Sequence, residues 1–391
     1  MAFIKPIGLI PTILDLLRVE TRERPIPQHI QAALDWLCRG QDKAGDGVSA
    51  SYSLRHGWLP PYPETTGYII PTFLACSADY PENGLRQRAL RMADWELDVQ
   101  LDDGAIPSGV YSSSRDEHGH SARRVSVFNT GQVLLGWCSA YRETMDTRYL
   151  DGAFRAGRWI VESQDEDGMW RRNISPIPKS SLRAYKARVA WALMELFQIS
   201  QETVFREAAI RCLEWVMDHQ QANGYFQHAG FNPHQDPTTH AIGYCIEGLL
   251  EGGDILGEER FIDGAERALG ALRDRFERNG CLSATYNGNW EETASYQILT
   301  GNAQVSRSWL RLYQLRGDAG DLVSARKVNR GLMRTQLLRP SGSGIQGGIK
   351  ATHPIWGSLR GNYSRFNYLN WATKFFIDTL LLQQKVDIQS N

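Results

Sequence analysis

Apolar and charged residues alternate along this chain with the period of an α-helix, in two kinds of stretch. One kind, at roughly 28–41, 84–100, 147–164, 202–220, 259–277 and 321–338, carries an apolar stripe with charges between. In 202–220 the stripe is Ala208, Cys212, Trp215 and Val216. The other kind, at roughly 65–80, 128–143, 182–199, 238–252, 294–316 and 366–384, is more apolar and richer in small residues. Pro71 inside the first of these predicts a kink or a late start. The two kinds follow one another strictly, so the unit is a helical hairpin used six times.

A second periodicity marks the ends of the charged set. Trp is followed five residues on by Gln and four further by Gly at Trp36/Gln41/Gly45, Trp95/Gln100/Gly104, Trp159/Gln164/Gly168 and Trp215/Gln220/Gly224. The copies recur every 55 to 65 residues or so, and two degenerate ones are expected at Asn279-Gly280 and near Gly342–Gly344. Returns from the apolar to the charged set are short: Asp79–Asn83, Thr144–Thr147, Ser200–Glu202. The opposite connections are long, about 17 to 28 residues, which in a compact domain marks a functional segment. All six long loops then fall at one end, around the mouth of a cavity. The expected fold is all-α, an (α/α)6 toroid over residues 28–391 with the charged set outside and the apolar set inside. An open solenoid or two separate bundles are the alternatives. Residues 1–27 form a lead-in segment, in which 9–19 could be an amphipathic helix packed as an N-terminal cap, or less favourably a membrane-surface anchor.

Charge narrows the partners. Lys plus Arg number 43 against 44 Asp plus Glu, without the basic excess of a nucleic-acid binder. No apolar run approaches membrane-spanning length, so stable insertion is not expected, and the proline-broken N-terminus is a poor signal peptide. Six cysteines stand singly, without CxxC pairs or metal-ligand spacing, as buried thiols in a reducing, cytoplasmic setting. No metal and no cofactor is predicted, although a calcium on loop carboxylates is an alternative.

The run Ala156-Gly157-Arg158-Trp159-Ile160, followed by Gln164, Gly168 and Trp170, resembles the QW repeat of squalene and oxidosqualene cyclases. The hairpin pattern as a whole resembles two groups of α/α toroids. One holds terpenoid cyclases and protein prenyltransferases; the other holds polysaccharide lyases, unsaturated-glycan hydrolases and sugar epimerases. The resemblance implies that Gln and Gly are structural and tie an outer helix end to the next inner helix. Asp102, Asp103, Asp165 and Asp167 then belong to tight turns. Isoprenoid chemistry in such toroids uses a DxDD acid motif, an Asp-rich magnesium-binding run or an Asp-x-Cys zinc pair. The first and last are absent, and Asp165-Glu166-Asp167 sits in a repeat turn.

The loops instead share a sugar-binding bias of aromatic, Arg, Asn and His residues. Candidate substrate contacts are Tyr52, Arg55, His56 and Trp58 in loop one, Asn129 and Gln132 after loop two, and Trp170, Arg171 and Arg188 in and after loop three. Tyr225 in loop four, Tyr286, Trp290, Tyr296 and Asn302 in and after loop five, and Lys350 and Trp356 in loop six complete the set. Arg115, Glu117, His118, His120, Arg123 and Asn173 share the bias. The sharpest constellation is His240 and Tyr244, i and i+4 on one helical face, with Glu247 a turn deeper. Such a pair can act as base and acid in removing the proton beside a uronate carboxylate. That carboxylate needs neutralising, for which Arg188, Asn129, Gln132, Asn302 and Gln304 are placed. The set is similar to the N, H, Y and R residues of toroidal polysaccharide lyases. The leading expectation is thus a carbohydrate-active enzyme, a lyase or epimerase, on an anionic poly- or oligosaccharide. A hydrolase would use paired carboxylates, Glu64 and Asp236, with Glu291 or Glu292 in reserve. A terpenoid-type enzyme or a non-catalytic glycan-binding toroid are the remaining alternatives.

Overall fold

The computed structural model describes residues 9–17, 19–111, 124–172, 182–338, 344–357 and 363–389. Its helices in chain order are α1 (Leu9–Leu16), α2 (Ile26–Ala44), α3 (Pro63–Cys76), α4 (Leu85–Val99), α5 (Val127–Thr144), α6 (Thr147–Glu162) and α7 (Ala187–Ser200). They continue as α8 (Thr203–Asp218), α9 (Thr239–Leu256), α10 (Glu259–Asn279), α11 (Leu299–Arg316), α12 (Ala319–Thr335) and α13 (Asn370–Gln389). The odd-numbered helices from α3 to α13 pack each on the next, and α13 returns to α3. The inner ring is therefore closed, which removes the solenoid and two-bundle alternatives. Even-numbered helices cover it, with Trp137 and Trp309 buried in the seam and their indole N–H groups donating to the carbonyls of Ala93 and Leu269.

Small residues let the inner helices approach closely. A Cβ on Gly67 of α3 would stand 2.6 Å from Val133 Cα of α5, and one on Gly136 of α5 would stand 2.4 Å from the Gly67 carbonyl oxygen. Helix α3 neither starts late nor stops at Pro71. It begins at Pro63, where a missing N–H is harmless, and runs through Pro71.

The glutamine ties differ from the expectation. Gln100 Nε2 donates to the carbonyls of Gly104 (3.0 Å) and Gly152 (3.0 Å), Gln164 Nε2 to Gly168 (2.8 Å) and Ala208 (2.9 Å), and Gln220 Nε2 to Gly224 (3.0 Å) and Gly264 (2.8 Å). Gly152, Ala208 and Gly264 lie on the following outer helix, so each tie links outer helix to outer helix. The glycine is needed for both conformation and space. Gly168 has φ +89°, and a Cβ there would meet Arg211 O at 2.4 Å. The closing copy is Gln336, which donates to Gly347 O (2.7 Å) and His29 O (3.1 Å) and joins α12 to α2. The sequence placed it near Gly342–Gly344; Gly342 lies outside the described residues.

The described parts of the six long loops gather at one end and are knitted together. Strand β1 (Ser51–Ser53) pairs with β2 (Gly57–Trp58) and, from loop six, with β5 (Asn367–Leu369); β3 (Gln297–Ile298) of loop five pairs with β4 (Thr352–His353) of loop six. Single bonds join the rest: Tyr111 N to Pro61 O (2.7 Å), Ala184 N to His228 O (3.1 Å) and Thr239 N to Ala284 O (2.9 Å). At the same end α1 docks through Asp15, which is buried against Lys350 and accepts from Ile355 N at 2.6 Å. Among the described residues no helix is long and apolar enough to cross a membrane.

Candidate functional site

The first turns of the inner helices converge below the loops. Glu64 and Tyr68 come from α3, Asn129 and Gln132 from α5, Arg188 from α7, His240, Tyr244 and Glu247 from α9, and Gln304 from α11. Tyr363 of loop six and Phe375 of α13 close the circle, their rings 6.0 and 6.3 Å from the His240 imidazole.

A chain of polar contacts orients His240. Its Nδ1 lies 2.6 Å from Gln304 Oε1, and Gln304 Nε2 donates to Glu247 Oε2 at 3.0 Å. The same Oε2 accepts from Arg188 Nη1, and Arg188 Nε donates to Gln132 Oε1 at 2.7 Å. A carboxylate in an ion pair takes only donors, so Gln304 turns its amide N–H₂ to Glu247 and its carbonyl to His240. His240 therefore carries its proton on Nδ1. Its Nε2 has no hydrogen-bond partner among the described residues and keeps a free lone pair. Burial, with the Arg188 charge adding to it and the Gln304 bond opposing, pulls the imidazole down to about 4. Tyr244 packs beside it, the rings tilted by 51° at 4.4 Å between centroids.

Glu64 has the opposite environment. Burial pushes its carboxyl up to about 7, against the lowering effects of the Tyr62 hydroxyl and the Arg188 charge. Tyr62 Oη donates to Glu64 Oε2 at 2.5 Å, and Asn129 Nδ2 donates to Pro107 O at 3.4 Å. Glu64 also lies close enough to Tyr68, Tyr185, Tyr244 and Tyr363 for its charge to raise their phenols, each of which burial raises first. The wall thus holds one group ready to accept a proton and one ready to give it, both near neutral pH.

The other sequence candidates lie elsewhere. A cleft of about 990 Å³ between loops four, five and six is lined by Tyr225, Asp236 and Tyr296 and ends on Phe231 and Tyr363. These two rings are 6.1 and 6.0 Å from His240, so the cleft leads to the site. Asp236 is exposed on this rim, next to Tyr225 rather than facing Glu64. Tyr52 and Trp58 stack edge to face at 5.3 Å, and Trp58 packs on the core Trp36. Arg55 and His56 are exposed, with Arg55 over the Phe366 ring. Trp170, Tyr286 and Trp290 are buried in packing, the two indoles donating to Ile160 O and Asn223 O and the phenol accepting from Ser283 N. Arg171 pairs at the surface with Asp165 and Asp167. Lys350 is consumed by Asp15, Asn302 Nδ2 donates to Gln297 Oε1 at 2.8 Å, and Trp356 lines a groove beside α1. Arg115, Glu117, His118, His120, Arg123 and Asn173 lie outside the described residues. Among the described residues no cluster of His, Cys, Asp and Glu has the form of a metal site.

Sequence reasoning missed Tyr68, Phe128, Tyr185 and Phe375 as cavity wall. One signal was present: Glu64 and Tyr68 repeat on α3 the i, i+4 spacing of His240 and Tyr244 on α9.

Residues 123–248 match the family described as the squalene-hopene cyclase C-terminal domain. The whole chain superposes on sugar-active toroids. Unsaturated glucuronyl hydrolase from Bacillus sp. GL1, responsible for the degradation of glycosaminoglycan, is 16% identical with TM-score 0.70, covering 91% of this chain and 96% of that one. A sugar epimerase from a ruminal bacterium is 13% identical with TM-score 0.71, covering 91% and 97%. Cellobiose 2-epimerase from Spirochaeta thermophila is 13% identical with TM-score 0.70, covering 100% of each. The chain is an α/α toroid. No curated protein sequence matches it. At these identities the toroids share the fold with this chain, and its chemistry has to be argued from its own side chains.

Proposed function

We propose that this toroid is a carbohydrate-active enzyme that removes and returns a proton beside a sugar carbonyl, with epimerisation as the leading outcome and elimination as the variant. The observation that carries the reading is the pair of matched groups: His240 with a fixed tautomer and free Nε2, and Glu64 with its carboxyl raised to about 7. His240 Nε2 takes the carbon-bound proton, and the Glu64 carboxyl donates to the carbonyl oxygen as it gains charge. Rotation of the enediol then lets His240 hand its proton back to the opposite face while Glu64 recovers its own from the enol, which inverts the carbon; loss of a β-oxygen substituent that takes the His240 proton as it leaves instead gives an unsaturated sugar. Tyr244 and Tyr363, whose rings lie 4.4 and 6.0 Å from the imidazole, supply ring faces to hold the pyranose or its open chain. The cleft edged by Tyr225 and Tyr296 gives room for further sugar units, so an oligosaccharide is the natural substrate. The uronate expected from sequence is less well served, because the Arg188 charge is already matched by Glu247. An uncharged sugar at the reacting position suits this wall better. The same reading keeps the cytoplasmic setting, with Cys38, Cys76, Cys138, Cys212, Cys245 and Cys281 all unpaired.

A second reading has one observation in its favour. The matched segment 123–248 supplies Phe128, Tyr185, Phe231 and Tyr244, an aromatic wall of the kind that stabilises a carbocation. Incubation in D2O with neutral reducing disaccharides, uronate oligosaccharides and polyprenyl diphosphates, followed by proton NMR, separates the two. Deuterium at the carbon beside the carbonyl, lost in His240→Gln, supports the proposal. Consumption of the diphosphate without sugar exchange favours the second reading, and new reducing ends without exchange would mean hydrolysis.

A further inference from the structure

The bore does not end at the Arg188–Glu247 pair. Beyond it, where the inner helices finish and the connections are short, lies a second cavity of about 390 Å³, within the size range of small-molecule sites. Glu247 forms part of both chambers. Its Oε2 serves the mouth side, holding Arg188 and Gln304, whereas its Oε1 has no hydrogen-bond partner among the described residues. Arg307 Nη1, 3.8 Å from that oxygen, is too far to bond it and also lacks a partner. Tyr68 Oη, on the same wall, is the third such atom. The Glu247 and Tyr68 side chains are 1% exposed, so these are buried polar atoms without a hydrogen bond among the described residues, although Arg188 and Glu251 balance the Glu247 and Arg307 charges. The wall carries six Lys and Arg against four Asp and Glu, a surplus of positive charge.

We propose that this second cavity binds a small hydroxylated anion, a sugar acid or a sugar phosphate. Its anionic group is met by Arg307 Nη1 in the positive field of the wall, while its hydroxyls donate to Glu247 Oε1 and bond Tyr68 Oη. Glu251 holds Arg307 Nη2 at 2.8 Å and leaves Nη1 without an acceptor; a plain anion leaves the Glu247 oxygen facing a like charge, and a neutral sugar gives Nη1 only a weaker acceptor, so the ligand needs both kinds of group. Because Glu247 also anchors Gln304 and through it His240, occupancy of the second cavity is linked to the state of the first, and the linkage is reciprocal. The proposal does not depend on the reaction assigned above, since binding is read directly.

Titration calorimetry on the full chain with D-glucuronate, D-glucose 6-phosphate, D-glucose and inorganic phosphate tests it. One equivalent of glucuronate or glucose 6-phosphate is expected to bind, with glucose and phosphate at least tenfold weaker; which of the two binds tells acid from phosphate. Arg307→Met should weaken binding at least tenfold. Ser139→Trp, which fills the cavity from a side chain on its wall, should abolish it. Absence of binding by both sugar anions, or binding that survives Ser139→Trp, would overturn the proposal.

Discussion

Replacing Glu247 by Gln keeps the shape of the side chain and removes its charge, which isolates the keystone of the site. Arg188 is 1% exposed and would be left with no carboxylate against Nη1. Breaking a buried ion pair at one partner costs about 3–5 kcal/mol. Here the guanidinium also lies over Trp191 at 4.9 Å, Phe375 at 5.2 Å and Tyr244 at 5.3 Å, contacts that survive the substitution. The expected loss is therefore at the lower end, about 3 kcal/mol. The second quantity is the protonation of His240. In the parent one oxygen, Oε2, accepts from both Arg188 and Gln304. The introduced amide keeps both bonds with its carbonyl in that place, so Gln304 and the Nδ1 proton of His240 stay as they were, while the amide N–H₂ is set toward Arg307 Nη1, donor facing donor. Guanidinium unfolding gives the first quantity, and long-range proton–nitrogen NMR of the imidazole gives the second. Activity on the substrate found above should fall roughly tenfold, about one weakened hydrogen bond in the chain that orients the base. The double variant Arg188→Met/Glu247→Leu should regain the stability and not the activity. A Glu247→Gln protein within about 1 kcal/mol of the parent, or one with the His240 proton moved to Nε2, would refute the reasoning.

Four further outcomes are expected. Activity requires His240 neutral and Glu64 protonated, so kcat/KM should rise with pH through about 4 and fall through about 7. In Glu64→Gln the alkaline limb should vanish along with most of the rate; its persistence would remove Glu64 from the acid role. Because the folded Glu64 carboxyl is raised, its stabilising share is full below the unfolded value and lost as pH rises through about 7, so the same variant should be the more stable protein in alkaline thermal melts. Gln164→Ala deletes two bonds to backbone carbonyls and strands Arg211 Nη2, which donates to Gln164 Oε1 at 2.6 Å. A loss of roughly 2–3 kcal/mol should appear in chemical denaturation, and a change below 0.5 kcal/mol (roughly one weak hydrogen bond) would show the tie to be decorative. Asp15→Asn uncouples α1 from Lys350 and should expose the stretch after Leu16 to limited proteolysis with the toroid intact, whereas an unchanged digestion pattern would mean that α1 is held by other contacts.

The helices, their alternation and the side of the ring that carries the loops were legible in the chain because each depends on neighbours within a turn or a hairpin. The stripe Ala208, Cys212, Trp215 and Val216 can only be buried by a helix, and a short return such as Thr144–Thr147 can only reverse one. Repetition of that unit six times pointed to a ring and left a solenoid or two bundles open, and the contact of α13 with α3 decided between them. The glutamine spacing was equally plain, yet its partner was not: Gln164 bonds Ala208, 44 residues on. At Gln336 the glycine moved to 347, eleven residues away, and the pattern was hidden. Within the site, the i, i+4 pair of His240 and Tyr244 was visible, but three decisive facts were not. Arg188 meets Glu247 across 59 residues, Gln304 reaches His240 across 64, and the Glu64 carboxyl owes its raised pKa to burial between helices far apart in sequence. Local periodicity is a property of consecutive residues and can be read without the fold. Desolvation and charge pairing exist only once ring closure has brought distant first turns together, so the chemistry of the cavity was decided by tertiary structure.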